Sequence, residues 1–288
     1  MNFCLIVFII TFFYNNSMKN RGFAPDEIIF ASTTACNLHC EHCFVNRTPH
    51  KLDIEHSVAF LRDCAAGGRI KRVGFSGGEP FLYMDFLLAL IKETVKLDLL
   101  FDQIMTNGDW WKDETELNTT LKSLYDAGYD GKIGLSWDSY HGQTQERMEK
   151  FISAVQNLFG EASVNIQAVD KDLPRTYPSE DPRAWQAKRW FREDYCQGPG
   201  NIFYVHADGN IAPCCGFANE NPALFIGTIT DSFETIMKNA AENKMVQLCF
   251  TKGLSRYRRF KKFPGKTQDI CSFCDYVCKD DSFLRLSK

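Results

Sequence analysis

The sequence predicts an α/β fold built on a parallel sheet, and three observations predict it. Over the first 170 positions, short apolar runs alternate with stretches of helical spacing. Glycines close the helical stretches, at Gly67-Gly68, Gly128 and Gly160. Two loops rich in chemistry, Cys36 to Cys43 and Gly77 to Pro80, leave directly from apolar runs. Strand–helix alternation of this kind calls for parallel strands joined by right-handed crossovers. In β/α barrels the carboxyl ends of the strands carry the chemistry.

Taken in order, Glu27 to Ser32 is the first strand and feeds the cysteine loop. Leu52 to Ala66 is a helix, with Val58, Leu61 and Cys64-Ala65 at helical spacing. That spacing gives Cys64 a packing role. Arg72 to Ser76 is the second strand and Phe81 to Leu97 an apolar-rich helix. Leu99 to Met105 is the third strand, closed by Thr106-Asn107-Gly108, and Asp113 to Ala127 a helix. Lys132 to Trp137 is the fourth strand, Gly142 to Phe159 a helix and Ser163 to Val169 the fifth strand. Leu173 to Pro182, with three prolines, reads as a linker, and Ala184 to Tyr195 as a helix leading into a second part.

The chain has 288 residues, 44% of them apolar and 24% charged, which suffices for a large core in one or two domains. A net charge of −3 gives no general argument for nucleic acid or an anionic membrane. Twelve cysteines are many for this length. Seven fall in cluster-like spacings, and thiolate ligands must stay reduced, so a cytoplasmic protein is expected rather than a disulfide scaffold. The apolar run Phe3 to Tyr14 is shorter than the roughly 20 residues of a membrane span and has no basic residue before it. Residues 1–17 are therefore read as a doubtful leader, either upstream of a true start at Met18 or a weak surface anchor.

Cys36, Cys40 and Cys43 offer three soft thiolate ligands on one short loop. On spacing alone two readings stand. One is an iron–sulfur cube with one iron left open. The other is a zinc site completed by His39 or His42. Gly77-Gly78-Glu79-Pro80 follows the second strand. Together the two motifs resemble the radical S-adenosylmethionine (radical SAM) superfamily, over roughly residues 24–170. The resemblance implies an incomplete parallel β/α barrel, here with five clear strands. It implies a 4Fe–4S cluster on the three cysteines whose open iron chelates SAM. Further implied are Gly77 and Gly78 approaching the methionine end, Glu79 meeting its ammonium group and Pro80 stiffening the turn. His42 would pack on adenine, and Ser136, Asp138 and Asn107 would contact the ribose or methionine part, although each could instead cap a helix. His141 is either an acid–base group or a hydrogen-bond partner at a helix start.

Cys196 begins a second pattern. Twelve residues separate it from Gly209 and four separate Gly209 from Cys214. Ile202 to His206 and Asn210 to Ala212 read as a hairpin turning at Asp208-Gly209. A helix from Ser232 to Leu248 and then Cys271-x2-Cys274-x3-Cys278 follow. This resembles the twitch domain, the short relative of the SPASM extension of radical SAM enzymes. The resemblance implies one auxiliary 4Fe–4S cluster on Cys196, Cys214, Cys271 and Cys274; Cys278 departs from the pattern and either replaces Cys274 or is free. A four-thiolate zinc site is the alternative. Cys4, Cys64, Cys215, Cys249 and Cys278 keep no cluster role; Cys215 is either a hydrogen-atom donor or a small buried residue. The basic stretch Arg256 to Lys262 is either a solvated loop or a docking site for an acidic peptide or phosphate.

The expected organisation is a radical SAM core over 18–195 and a twitch-like hairpin-plus-helix domain over 196–288. The implied function is SAM cleavage followed by hydrogen abstraction, with a ribosomally made peptide as the substrate. Oxidation of a small alcohol is the alternative within the enzyme class, and a non-catalytic metal-binding or sensing module the alternative outside it. An electron donor such as flavodoxin or ferredoxin is the implied partner, with no nucleic acid and no stable membrane insertion.

Overall fold

The computed structural model describes residues 22–40, 43, 45, 47–167, 177–192, 195–196, 200–259 and 262–280. Residues 1–17, Cys4 and His42 lie outside them. An eight-stranded sheet runs through the chain in the order β5-β4-β3-β2-β1-β6-β7-β8. Strands β1 (Glu27–Ala31), β2 (Arg72–Ser76), β3 (Leu100–Thr106), β4 (Lys132–Ser136) and β5 (Val164–Gln167) are parallel. Helices α1 (Ile54–Ala66), α2 (Met84–Lys96), α3 (Glu114–Asp126) and α4 (Gln145–Phe159) connect them.

Local chemistry sets the helix starts. The side chains of Asp53, Asp113 and Thr144 accept hydrogen bonds from backbone N–H groups in the first turns of α1, α3 and α4. Pro80 sets off a 3₁₀ turn, Pro80–Tyr83, so α2 begins at Met84 rather than Phe81. Alternate strand residues meet the helices: Phe30, Phe75, Ile104 and Leu135 are almost fully buried with Phe86, Leu87 and Phe151. Cys64 is one of these core residues, and burial holds its thiol far above the ordinary range.

The second part continues the same sheet. β6 (Gly200–Val205) pairs in parallel with β1, on the side away from β2. β7 (Asn210–Cys214) and β8 (Gly227–Thr228) then add antiparallel strands. Helices α5 (Phe233–Glu242) and α6 (Ile270–Cys278) pack beside them.

Two expected helices differ. Of the helix expected over 184–195, the described residues form only the short turn Pro182–Trp185, and 186–192 are irregular. Their donors go to a distant segment instead of to their own preceding turn: Ala187 N–H donates to Lys266 O and Phe191 N–H to Thr267 O. Trp185, Trp190 and Phe191 are held by an aromatic cluster with Phe263, Phe273 and Tyr276. Aromatic contact outweighs the helical spacing. The helix expected over 232–248 breaks at Asn243, whose backbone is extended. The Asn243 side chain accepts from Val246 N–H and donates to Ala223 O, 3.0 Å away. It thereby ends one helix and starts the short helix Lys244–Gln247. Among the described residues, no helix is long and apolar enough to cross a membrane.

Candidate functional site

The loop after β1 is closed at its base by main-chain and hydroxyl contacts: Thr34 N–H to His50 O at 3.0 Å, Thr34 Oγ1 to Thr48 O at 2.9 Å and Leu52 N–H to Ser32 O at 2.9 Å. Such closure presents Cys36, Cys40 and Cys43 to one cavity of about 440 Å³ at the carboxyl ends of the strands. Donors converge on the sulfurs. Leu38 N–H lies 3.5 Å from Cys36 Sγ, Asn107 Nδ2 3.7 Å from Cys36 Sγ and Arg47 Nη2 3.3 Å from Cys43 Sγ. Burial and then the neighbouring thiols push Cys40 above the ordinary range. Arg47 escaped the sequence reading; its signal was a lone cation four positions past Cys43.

The Gly77–Pro80 turn is pressed against that loop. Gly78 N–H donates to Thr33 O at 2.6 Å and Glu79 N–H to Ala35 O at 2.8 Å. Gly77 has φ +133°, and a Cβ there would lie 2.6 Å from Thr33 O; one on Gly78 would lie 2.2 Å from Ala35 O. Both glycines line the cavity, and what they approach most closely is the backbone of the cysteine loop. Glu79 differs from its expected place. It is fully buried and absent from the cavity wall. Its Oε1 accepts from Thr106 Oγ1 at 2.8 Å and Phe81 N–H at 3.2 Å, and its Oε2 from Asn107 N–H at 2.8 Å. Burial pushes its carboxyl up to about 7 despite these bonds. As it stands the carboxyl braces the exits of β2 and β3. Pro80 is buried beside it and is not on the wall.

Asn107, Ser136 and His141 line the cavity. Gln143, also missed from sequence, ties two strand exits together through Nε2, which donates to Asn107 O at 2.7 Å and Ser136 O at 2.8 Å. Asp138 is off the wall and accepts from Tyr140 N–H and pairs with His141 Nδ1, each at 2.8 Å. His141 thus has a carboxylate partner within the turn that precedes α4, and it also lines the cavity. The opposite wall is polar, with Asp102, Gln103 and Gln167.

The hairpin brings Cys196 and Cys214 together. Gly200 pairs with Cys214, and a Cβ on Gly200 would lie 2.6 Å from Cys196 Sγ. α6 carries Cys271, Cys274 and Cys278 at spacings of three and four, on one helical face. Cys196, Cys214, Cys271 and Cys274 line a second, narrow cavity of about 20 Å³, and so does Cys249, which no spacing had marked. Cys249 Sγ lies 3.7 Å from Cys274 Sγ. Hydrogen bonds from Cys249 and then Cys278 hold the Cys274 thiol well below the ordinary range. Burial holds Cys196 up to about 12 and Cys271 higher still. Cys278 is buried against Cys274 and does not line the cavity. Among the described residues, neither set is drawn into a finished ligand cage; the fold supplies thiols lining common spaces.

Cys215 follows Cys214 and faces the other way. It lines the large cavity with the three loop cysteines, next to Tyr204. Burial pushes its thiol up to about 11, so it carries its hydrogen at neutral pH.

These two sets of thiols agree with relationships to known proteins. The profile of the radical SAM superfamily matches residues 30–187, more than half of the chain. The chain belongs to the radical SAM superfamily. The iron–sulfur cluster-binding domain SPASM matches residues 196–275, a span that includes Cys274 and stops short of Cys278. GTP 3′,8-cyclase of Chlorobaculum tepidum is 28% identical over 157 residues, 51% of this chain and 44% of the cyclase, so less than half of that relative is spanned. YydG of Bacillus subtilis, named for peptide biosynthesis, is 22% identical over 286 residues, 83% of this chain and 88% of YydG. The crystal structure of BtrN in complex with AdoMet and 2-DOIA superposes with a TM-score of 0.57 at 19% identity, covering 78% of this chain and 88% of BtrN. This radical SAM enzyme therefore has the open parallel sheet of its family. It binds SAM and a 4Fe–4S cluster in the core and an auxiliary iron–sulfur cluster in the SPASM part. Thiols are the donor type that both clusters require.

Proposed function

We propose that the enzyme modifies a ribosomally made peptide by removing one hydrogen from a backbone carbon and returning another from Cys215. The observation that carries this is the placement of Cys215 in the cavity of the cysteine loop, with Cys214 turned to the other thiols. The relationship to YydG supports a peptide substrate. Cys36, Cys40 and Cys43 hold the SAM-binding cluster; Cys196, Cys214, Cys271 and Cys274 hold a single auxiliary one. Cys274 takes the place over Cys278 because only Cys274 lines the cavity. Anaerobic reconstitution is expected to give about eight irons per chain. Iron assay showing about four, or bound zinc, would leave one set without a cluster.

When bound, the cluster and SAM supply a 5′-deoxyadenosyl radical to this cavity. The chain's own residues do the rest. Arg47, Leu38 N–H and Asn107 Nδ2 direct their donors at the sulfurs of Cys43 and Cys36. Asn107 and Ser136, fixed through Gln143, present polar groups toward SAM. The substrate carbon would give up its hydrogen atom to that radical, yielding 5′-deoxyadenosine, and would itself become a radical. The Cys215 S–H bond then breaks and a C–H bond forms, leaving a thiyl radical. One electron from a flavodoxin- or ferredoxin-class donor and one proton restore the thiol. A reducing compartment such as the cytoplasm suits these thiols.

The test runs turnover in deuterated water and weighs the product. Exchange of the Cys215 S–H predicts a gain of one mass unit at carbon, lost in Cys215→Ala. A product two units lighter than substrate and unaffected by that substitution would mean oxidation, with the auxiliary cluster taking the second electron.

A further inference from the structure

A smaller cavity of about 70 Å³ adjoins the main one on the hairpin side of the cysteine loop. The two share Val45, Gly77 and Tyr204 as walls. His206 faces this annex. It is only 7% exposed, and its Nε2 is enclosed without a hydrogen-bond partner. Its Nδ1 faces Glu220 Oε1, so a proton on Nδ1 leaves Nε2 an acceptor. Its burial holds the imidazole neutral.

Apart from the imidazole of His50, the ionisable side chains in the rest of the annex are two carboxyls. Glu220 Oε1 lies 3.8 Å from His206 Nδ1, and Asp208 stands nearby at the hairpin turn. Burial and then Asp208 raise the Glu220 carboxyl. Among the described residues, neither carboxylate is paired with a lysine or arginine. Tyr204 and Phe225 flank the imidazole with ring centroids 4.9 and 5.6 Å away. Two carboxylates that solvent reaches, a buried acceptor nitrogen and aromatic walls together suit a cation. The volume exceeds the ~30 Å³ share of one water in the liquid, enough for an ammonium group and its adjoining carbon.

We propose that this annex binds a protonated amine of the peptide substrate, either a lysine side chain or the amino terminus, and so anchors the peptide beside the cavity that Cys215 faces. The proposal rests on the peptide reading above. Its test needs no turnover, so the two can fail separately.

The experiment is calorimetric titration of the reconstituted enzyme with SAM bound, at pH 7. The probes are n-butylammonium for a lysine side chain, alaninamide for an amino terminus and n-butanol as the neutral counterpart of the first. Saturable binding of at least one amine is expected, with none by butanol at the same concentration. Glu220→Gln should weaken it about tenfold, as for a lost hydrogen bond to a charged group. Asp208→Asn should weaken it by less, because that carboxylate is exposed and already bonded to Asn210. Tighter binding of butylammonium assigns the annex to lysine, and of alaninamide to the amino terminus. Equal binding of butanol, no binding of either amine, or an unchanged affinity in Glu220→Gln would overturn the proposal.

Discussion

Cys40→Ala is expected to abolish SAM cleavage, while Cys271→Ala keeps part of the cleavage and forms no product. The two thiols serve different cavities. Cys40 lines the large one beside Gly77, Asn107 and Ser136, where SAM has room. Losing one of three loop sulfurs leaves the cube with too few protein ligands. Cys271 lines the narrow cavity at the far face of the hairpin, where its loss removes the auxiliary centre and spares the SAM site. Counting 5′-deoxyadenosine and modified peptide in parallel separates the outcomes. A loss of at least about a hundredfold, roughly 3 kcal/mol in barrier, is expected for Cys40→Ala in both counts. Equal loss of 5′-deoxyadenosine in both variants, with folding intact, would contradict this division.

Gly78→Ala is expected to disrupt the core site as thoroughly as the loss of a ligand, without touching a sulfur. The added Cβ would lie 2.2 Å from Ala35 O and 2.7 Å from its carbonyl carbon. Neither neighbour is the free end of a side chain. Both backbones are pinned by the 2.6 and 2.8 Å bonds between the turn and the cysteine loop. Relief requires the loops to separate, at about 3 kcal/mol by analogy with overpacked cores. For a chain of this size that lowers the melting temperature by roughly 6–12 °C. About four irons should be lost with it, since the loop no longer presents its cysteines together. Unchanged melting and iron content would show that the close approach does not matter. Cys196→Ala is the contrast: it should lose the auxiliary iron and keep the core cluster.

Much of the fold was legible. Helical spacing, glycine stops and Asp or Thr caps are local signals, and α1, α3 and α4 lie within a few residues of the expected spans. The failures share a cause. The stretch 184–195 has helical spacing, but Ala187 and Phe191 give their backbone donors to 266–267, and Trp185 and Phe191 give their rings to Phe263 and Phe273. Asn243 ends a helix early because its amide reaches Ala223 O and Phe225 O. Neither partner is near in sequence. In the site, Gly77, Gly78, Asn107 and Ser136 line the cavity, while Glu79 turns inward and Asp138 pairs with His141.

By itself the sequence determined the chemistry: three thiols on one loop, a glycine turn about one β/α repeat later and a second set of thiols near the carboxyl end. These are local patterns whose spacing states which atoms a short loop or helix can gather. Only the tertiary structure decided where Cys215 and His206 point and that Cys249 joins Cys274. Strand alternation puts Cys214 and Cys215 on opposite faces, but which face looks into the barrel depends on β6 pairing with β1, more than 170 residues away in sequence. Side-chain direction at such a junction is set by long-range pairing, and long-range pairing leaves no mark in the local pattern.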